Sequence, residues 1–253
     1  MSTARFWVKI MCMSGHSKWA TIHRAKEAKD AKKGAAFTKL AMNITVAVKQ
    51  GGGVGDPEKN FRLRLAVDKA REFNMPKENI ARAIEKGLGG GSGVTLEEVV
   101  YEGFLPGGAA VIIEGLTDNR ARTAQQVRSL LEKGGGTLAG SGAVAYMFTQ
   151  LGELVVDMTG KTEEEAELAA IDAGADEFLT EEEKLIIYCQ KEQLPEVKQK
   201  LESAGYRVES AEVVMKPGTV SEVADEETKT KIETLLEQLS DLEDVSKVWS
   251  NLV

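Results

Sequence analysis

Residues 154–215, LVVDMTGKTEEEAELAAIDAGADEFLTEEEKLIIYCQKEQLPEVKQKLESAGYRVESAEVVM, decide how the chain is read. Leu154-Val155-Val156 is a short apolar run rich in β-branched residues, which predicts a strand. Thr162 and Glu165 then stand at capping-box spacing before Ala166, Ala169, Ala170 and Ala173, which predicts a helix. Leu185–Cys189 predicts a second strand. Pro195, Val197, Leu201 and Ala204 predict a helix stopped by Gly205, and Arg207–Met215 a third strand. Strand-helix-strand-helix-strand is the alternation of a small open-faced sandwich.

The flanks complete a second such unit. Val99-Val100-Tyr101, Val111-Ile112-Ile113 and Val144–Phe148 read as strands. A helix runs from about Asp118 to Lys133, with Ala124, Val127, Leu130 and Leu131 inward. One helix is too few for a split sandwich. The chain ends with a helix carrying Ile232, Leu235, Leu236 and Leu239 and a strand at Val245–Trp249, which supply the missing pieces. The expected arrangement is a domain of residues 151–216 inserted into a discontinuous one made of residues 94–150 and 217–253.

Upstream, no strand signal occurs. Phe37, Leu40, Ala41, Ile44 and Val48 fall on one helical stripe. Asp56-Pro57 predicts an N-cap followed by proline at the first helical position. Leu63, Ala66, Val67, Ala70 and Phe73 share the face of that helix. Asn74-Met75-Pro76 restarts the chain, and Ile80, Ala83 and Ile84 predict a last short helix ending at Gly87. Residues 14–88 are therefore expected to form a helical domain, with Gly87–Gly93 as linker and residues 1–13 as an extension. The fold class is α+β multidomain, an all-helical amino-terminal domain followed by two small open-faced, ferredoxin-like sandwiches.

The 253 residues carry a net charge of -8, but the sign is split along the chain. Residues 1–86 hold 18 basic and 8 acidic side chains, a balance of +10; the remainder holds 14 and 32, a balance of -18. Such asymmetry points to a polyanion partner for the basic part. No apolar run approaches the roughly 18 residues that span a bilayer, and the stretch at Phe6–Met13 is too short and lacks a cleavage site. Cys12 and Cys189 make no disulfide framework, so a cytoplasmic, reducing location is expected.

Catalytic signals are thin. His16 and His23 have no nearby cysteine to complete a zinc set. Gly51–Gly55 lacks both the Lys-Ser/Thr of a phosphate loop and a preceding strand. The acidic clusters Glu163–Glu165, Glu181–Glu183 and Asp225–Glu227 could motivate an acid–base or metal site, with Glu163 and Glu181 the residues to test, but helix starts and loops already account for them. Cys189 lies in an apolar run and reads as core. No catalytic residue, metal or cofactor is expected.

The basic stretch carries the functional signal. Ser14–Lys49 holds eight Lys and Arg against two acids, Glu27 and Asp30. If residues 18–33 are helical, Lys26, Lys29 and Lys33 project from one side. Lys18, Arg24, Lys32 and Lys39 add charge nearby, and Arg62 and Arg64 extend the set to the next helix. Cations spaced in this way meet successive phosphates and release counterions. Trp19 and His16 suit stacking on unpaired bases; for Trp19 a docking or core role fits equally well.

Ser14-Gly15-His16-Ser17-Lys18-Trp19, Asp30-Ala31-Lys32, Phe37-Thr38-Lys39-Leu40, Arg62–Ala70 and Asn74-Met75-Pro76-Lys77 together resemble the YebC-type family. The resemblance continues at Tyr101-Glu102-Gly103, Pro106-Gly107-Gly108, Asp118-Asn119-Arg120, Arg122-Thr123 and Gly142–Tyr146, and so spans nearly the whole chain from Met13. It implies three domains and a non-enzymatic regulator of gene expression. Some members are labelled probable transcriptional regulators that bind DNA. Others are described as translational activators on the ribosome, some of them relieving stalls at proline-rich sequences. The partner is thus DNA or ribosomal RNA. The family's His-Arg-Lys succession is interrupted here, since Ala25 separates His23-Arg24 from Lys26. The family pattern starts at Met13, so Met13 is the expected initiator. Intact-mass analysis of protein purified from its source tests this, and a species beginning near Met1 refutes it.

Overall fold

The structure, a computed structural model, describes residues 33–90 and 96–252. Among these, the helical part comprises α1 (Lys33–Gln50), α2 (Phe61–Glu72) and α3 (Lys77–Gly87). Leu40, Ile44, Ala47 and Val48 of α1 interlock with Leu63, Val67 and Ala70 of α2 and Ile80 and Ala83 of α3 in one core. Gly87 does more than stop a helix. A Cβ there would lie 2.6 Å from Val48 Cβ, so glycine lets α3 press against α1. Thr45 Oγ1 donates to the Ala83 carbonyl across the same contact, at 3.1 Å.

The cap of α2 differs from expectation. Asp56-Pro57 forms a turn, and Asn60 is the N-cap, its side chain accepting from the Leu63 N–H at 3.1 Å. Asn60 is buried and its amide also donates to the Ala47 and Val54 carbonyls, both at 3.0 Å. Asparagine can use both ends of its amide in this way, whereas a carboxylate has no donor to offer the two carbonyls.

The remaining elements are β1 (Glu97–Phe104), β2 (Ala110–Thr117), α4 (Arg120–Lys133), β3 (Thr137–Ala139), β4 (Phe148–Asp157), α5 (Glu163–Ala173), β5 (Glu177–Glu181), β6 (Lys184–Gln190), α6 (Leu194–Ser203), β7 (Arg207–Pro217), α7 (Glu226–Asp241) and β8 (Val245–Ser250). They build two four-stranded antiparallel sheets, ordered β3-β1-β2-β8 and β5-β6-β4-β7. The second sheet with α5 and α6 is a complete split sandwich, inserted between β3 and α7 of the first. In the first, α4 and α7 bury Val127, Leu131, Ile232, Leu235 and Leu239 on Val111, Ile113 and Val245. In the second, α5 and α6 cover Leu154, Val156, Leu185 and Ile187.

Two strands escape the sequence reading and one expected strand is displaced. β3 is three residues long, and β5 is a half-buried edge strand with acidic ends, so neither has a clear apolar alternation. The stretch Val144–Phe148 is not a strand; Ala145–Met147 is a 3-10 turn and β4 starts at Phe148. The N–H groups of Val144 and Ala145 are captured by a carboxylate, described below, and are unavailable for strand pairing.

The faces of the two sheets left bare by the helices meet through Trp249 of β8. Its indole joins the cluster of Ala110 and Ile112 of the first sheet, with Val144 of the connecting segment and Phe148 at the start of β4, to the cluster of Val155, Ile186, Tyr188 and Val214 of the second sheet. Its Nε1 is buried with no hydrogen-bond partner among the described residues. The ring is thus held by packing and by the Lys247 ammonium over its face, not by a hydrogen bond of its own. Trp249→Ala should cost about 3–5 kcal/mol in urea denaturation, while Trp249→Phe should cost far less. Equal midpoints for wild type and Trp249→Ala would show that the sheets do not depend on this ring.

Candidate nucleic-acid interface

The sequence-predicted basic residues divide into three groups. Lys18, Trp19, Arg24, Lys26, Lys29 and Lys32 lie outside the described residues. Lys33 is the first residue of α1. Lys39, Arg62 and Arg64 are placed, and all three are engaged within the protein.

Lys39 is turned inward. Its Nζ donates to the carbonyls of Leu242 (3.4 Å) and Val245 (3.1 Å), at the junction of α7 and β8. Burial lowers its pKa below the ordinary lysine value, an effect that Asp241 nearby offsets only in part. A cation at the end of a helix satisfies carbonyls that the helix leaves open and meets the negative end of its dipole. Lys39 is therefore a clasp between the helical domain and the first sandwich, and not a phosphate contact.

Arg62 donates to Gln50 Oε1 at 2.6 Å, and Gln50 Nε2 in turn donates to Glu98 Oε2 at 3.1 Å. Lys49 Nζ donates to the Leu96 carbonyl. The end of α1 is thus tied to the start of β1. Arg64 is turned back on its own turn, donating to the Pro57 and Glu58 carbonyls and to the Glu58 carboxylate at 3.0–3.2 Å. On the outer side of α3, the exposed residues Lys77, Glu78, Arg82, Glu85 and Lys86 mix signs. Such a face gives no continuous positive track.

A cleft of about 590 Å³ lies where the three domains meet, lined by residues including Arg62, Lys216, Lys247, Glu153 and Glu212. Its cations are answered from within. Lys247 pairs with Glu212 (2.8 Å) and Lys216 with Glu177 (2.6 Å). Lys216 also stands 4.2 Å from the Tyr188 ring centre and Lys247 5.0 Å from that of Trp249. These pairs fix the walls of the cleft.

The acidic clusters are structural in their described setting. Thr162 and Glu165 form a reciprocal capping box at the start of α5, and Glu163 and Glu164 complete its first turn. Glu182 lies in the β5–β6 turn with a positive φ of 53°. Asp225 caps α7 through the Thr228 N–H at 2.9 Å. Among the described residues no three His, Cys, Asp or Glu side chains gather as a metal site. Cys189 is buried, and burial pushes its thiol up to about 11, so it is no nucleophile at neutral pH.

Two carboxylates do unexpected work. Glu102, buried on β1, accepts from the N–H groups of Gly142 (2.6 Å), Val144 (2.7 Å) and Ala145 (2.8 Å). Burial by itself would raise its pKa, but the three donors outweigh it and hold it below the ordinary value. Asp244 accepts from Thr123 (2.6 Å), Arg122 (2.8 Å) and Thr117 (3.0 Å), and these likewise overcome the effect of burial and lower its pKa. Tyr101-Glu102-Gly103 and Gly142–Tyr146 contain Glu102 and its donors, and Arg122-Thr123 supplies two of the donors to Asp244, which itself lies in no motif of the sequence reading. What hid their pairing was distance along the chain, 40 residues or more between Glu102 and its donors.

The architecture defines a class: a helical domain clasped to a split sandwich that carries a second sandwich as an insertion. Similarity to known proteins narrows it. The model of the TACO1/YebC protein N-terminal domain matches residues 17–90, and that of the TACO1/YebC second and third domain matches residues 96–252. The chain belongs to the TACO1/YebC family. It is 50% identical over 242 residues, 95% of each chain, to a protein of Chloroflexus aggregans named probable transcriptional regulatory protein. A protein of Caldanaerobacter subterraneus with the same designation is 44% identical over 95% of this chain and 98% of its own. The crystal structure of a conserved hypothetical protein from Aquifex aeolicus superposes with a TM-score of 0.80 at 44% identity, covering 88% of this chain and 91% of that one. Among the described residues no helix is long and apolar enough to cross a membrane.

The Glu102 contact gives a pH dependence of defined sign. Its folded pKa lies below the ordinary 4.5, so its contribution is complete above that pH and is lost as the pH falls through the lowered value. Glu102→Gln keeps one acceptor and should lose about 2 kcal/mol at neutral pH, with a shallower acid limb in denaturation. An unchanged acid limb would mean the carboxylate does not brace the loop.

Proposed function

We propose that this protein is a non-enzymatic regulator of gene expression that grips nucleic acid through the phosphate backbone, using cations of its amino-terminal domain. The observation that carries this reading is the charge split, +10 over residues 1–86 against -18 over the rest. The placed cations sharpen it. Lys39 and Lys49 are engaged in contacts between domains and Arg62 and Arg64 make contacts with neighbouring side chains at the surface, so the reading rests chiefly on Lys18, Arg24, Lys26, Lys29, Lys32 and Lys33. The name shared by the relatives, probable transcriptional regulatory protein, supports a regulatory role.

Phosphate contacts supply affinity and orientation but little sequence information. The mixed-sign face of α3 is poorly suited to reading base edges in a major groove, which demands a dedicated recognition helix. The net negative charge of the sandwiches disfavours non-specific polyanion contact there, so the phosphate grip falls to the amino-terminal domain. Binding of this kind suits duplex DNA and structured RNA alike. Gradient sedimentation of lysate separates the two settings: co-migration with ribosomal particles that high salt abolishes marks translation, whereas selective protection of promoter DNA marks transcription.

Neutralising Lys26, Lys29 and Lys33 together should weaken binding and flatten the slope of log affinity against log salt by about 2–3 units, roughly one for each phosphate no longer neutralised. A slope equal to that of wild type would remove these lysines from the binding surface.

A further inference from the structure

We infer that Tyr146 is a stacking platform for an unpaired base, presented by a loop that the buried Glu102 carboxylate holds in shape. This inference rests on the nucleic-acid reading above and assigns it a second contact, far in sequence from the basic segment.

Tyr146 is 81% exposed, the highest value among the exposed large hydrophobic side chains of the described residues. An exposed ring on a loose loop would mean little. Here the flanks are fixed. Glu102 takes the N–H groups of Gly142, Val144 and Ala145. Val144 is fully buried in the cluster with Ala110 and Ile112. The Met147 N–H donates to the Val144 carbonyl (2.9 Å), and the Met147 carbonyl accepts from Gly218 (2.8 Å). The backbone on both sides of Tyr146 is therefore anchored while its ring stands in water.

Anchoring the loop does not require exposing an aromatic ring. A buried carboxylate that spends its lone pairs on a neighbouring loop is a device for fixing that loop, since burying the charge unpaired would be costly. A rigid tyrosine loses little conformational entropy when its ring is covered, so prior fixation favours binding.

The surroundings select the ligand. The preceding residues are Gly140, Ser141, Gly142 and Ala143, and open space surrounds the positions a Cβ would take at Gly140 and Gly142. A single ring among small residues offers a platform the size of one base. A stable protein interface needs about 800 Å² on each side. Base–aromatic stacking needs only a π-face and tolerates any base identity, consistent with a protein held mainly through phosphates.

The test uses the full chain and single-stranded oligonucleotides carrying 2-aminopurine, whose fluorescence is quenched on stacking, with an unlabelled duplex as control. Wild type and Tyr146→Phe should quench the probe. Tyr146→Ala should lose the quenching and bind single strands about tenfold more weakly, with unchanged duplex affinity and unchanged thermal midpoint. Glu102→Gln should quench less because the ring is no longer held. Quenching and affinity preserved in Tyr146→Ala would overturn the stacking role and leave the nucleic-acid reading intact. Failure of the wild-type chain to bind any of these strands would overturn both. Loss of a co-purifying protein in Tyr146→Ala, with strand binding unaltered, would reassign the ring to a protein interface and overturn the proposal.

Discussion

Strand β8 is the element on which the other parts converge. It closes the first sheet against β2 and carries Trp249 into the space between the two sheets. Its first residue and the one that caps α7 supply the carbonyls that hold Lys39 of the helical domain. Just beyond it, the Asn251 side chain accepts from the Ala110 N–H at 2.7 Å and donates to the Thr219 carbonyl at 3.0 Å, fixing the returning chain. Every domain touches this last segment, so the chain cannot complete its fold until its carboxy-terminal end is in place. Contacts of such sequence separation carry a large loop-closure cost, which favours late formation of this junction.

That junction determines how charge is arranged. With Lys39 and Lys49 committed to bonds between domains, and Arg62 holding the Gln50 that reaches Glu98, the helical domain is fastened to an acidic body through some of its own cations. On the proposed reading, the cations that would serve phosphate are then mainly those that precede α1 in the sequence. The acidic sandwiches are not a passive counterweight. Their carboxylates cap α5 and α7 and brace the loop before β4, while Lys247 and Lys216 neutralise the wall of the cleft. Glu102 links architecture to function most directly, because one buried charge fixes the connection between the two sandwiches and the pose of Tyr146.

Much of this was legible in local patterns. Period-3.6 stripes at Leu40–Val48 and Ile232–Leu239 and the capping box at Thr162–Glu165 act within a few residues, and the structure contains them. The insertion was legible because one helix is too few for a split sandwich. What stayed hidden depends on long-range partners. Asn60 is a cap because Ala47 and Val54 offer carbonyls to its amide, and the Asp56-Pro57 signal, though stronger in isolation, lies one turn too early. Val144–Phe148 is β-prone in composition, but Glu102, distant in sequence, captures the N–H groups of Val144 and Ala145. Lys39 looked like one more cation in a basic run; only the docking of α7 shows its ammonium to be buried. β5 escaped because an edge strand needs charge to discourage further pairing, and that charge obscures its alternation.

The proposed function turns on which part of the surface nucleic acid would touch. Ultraviolet crosslinking of the full chain to bound single strands, followed by mass spectrometry of the joined peptides, reads this directly. Crosslinks are expected in peptides covering residues 14–33 and in the peptide containing Tyr146. Crosslinks confined to the acidic outer surface of α5, with none in either of those peptides, would contradict both assignments.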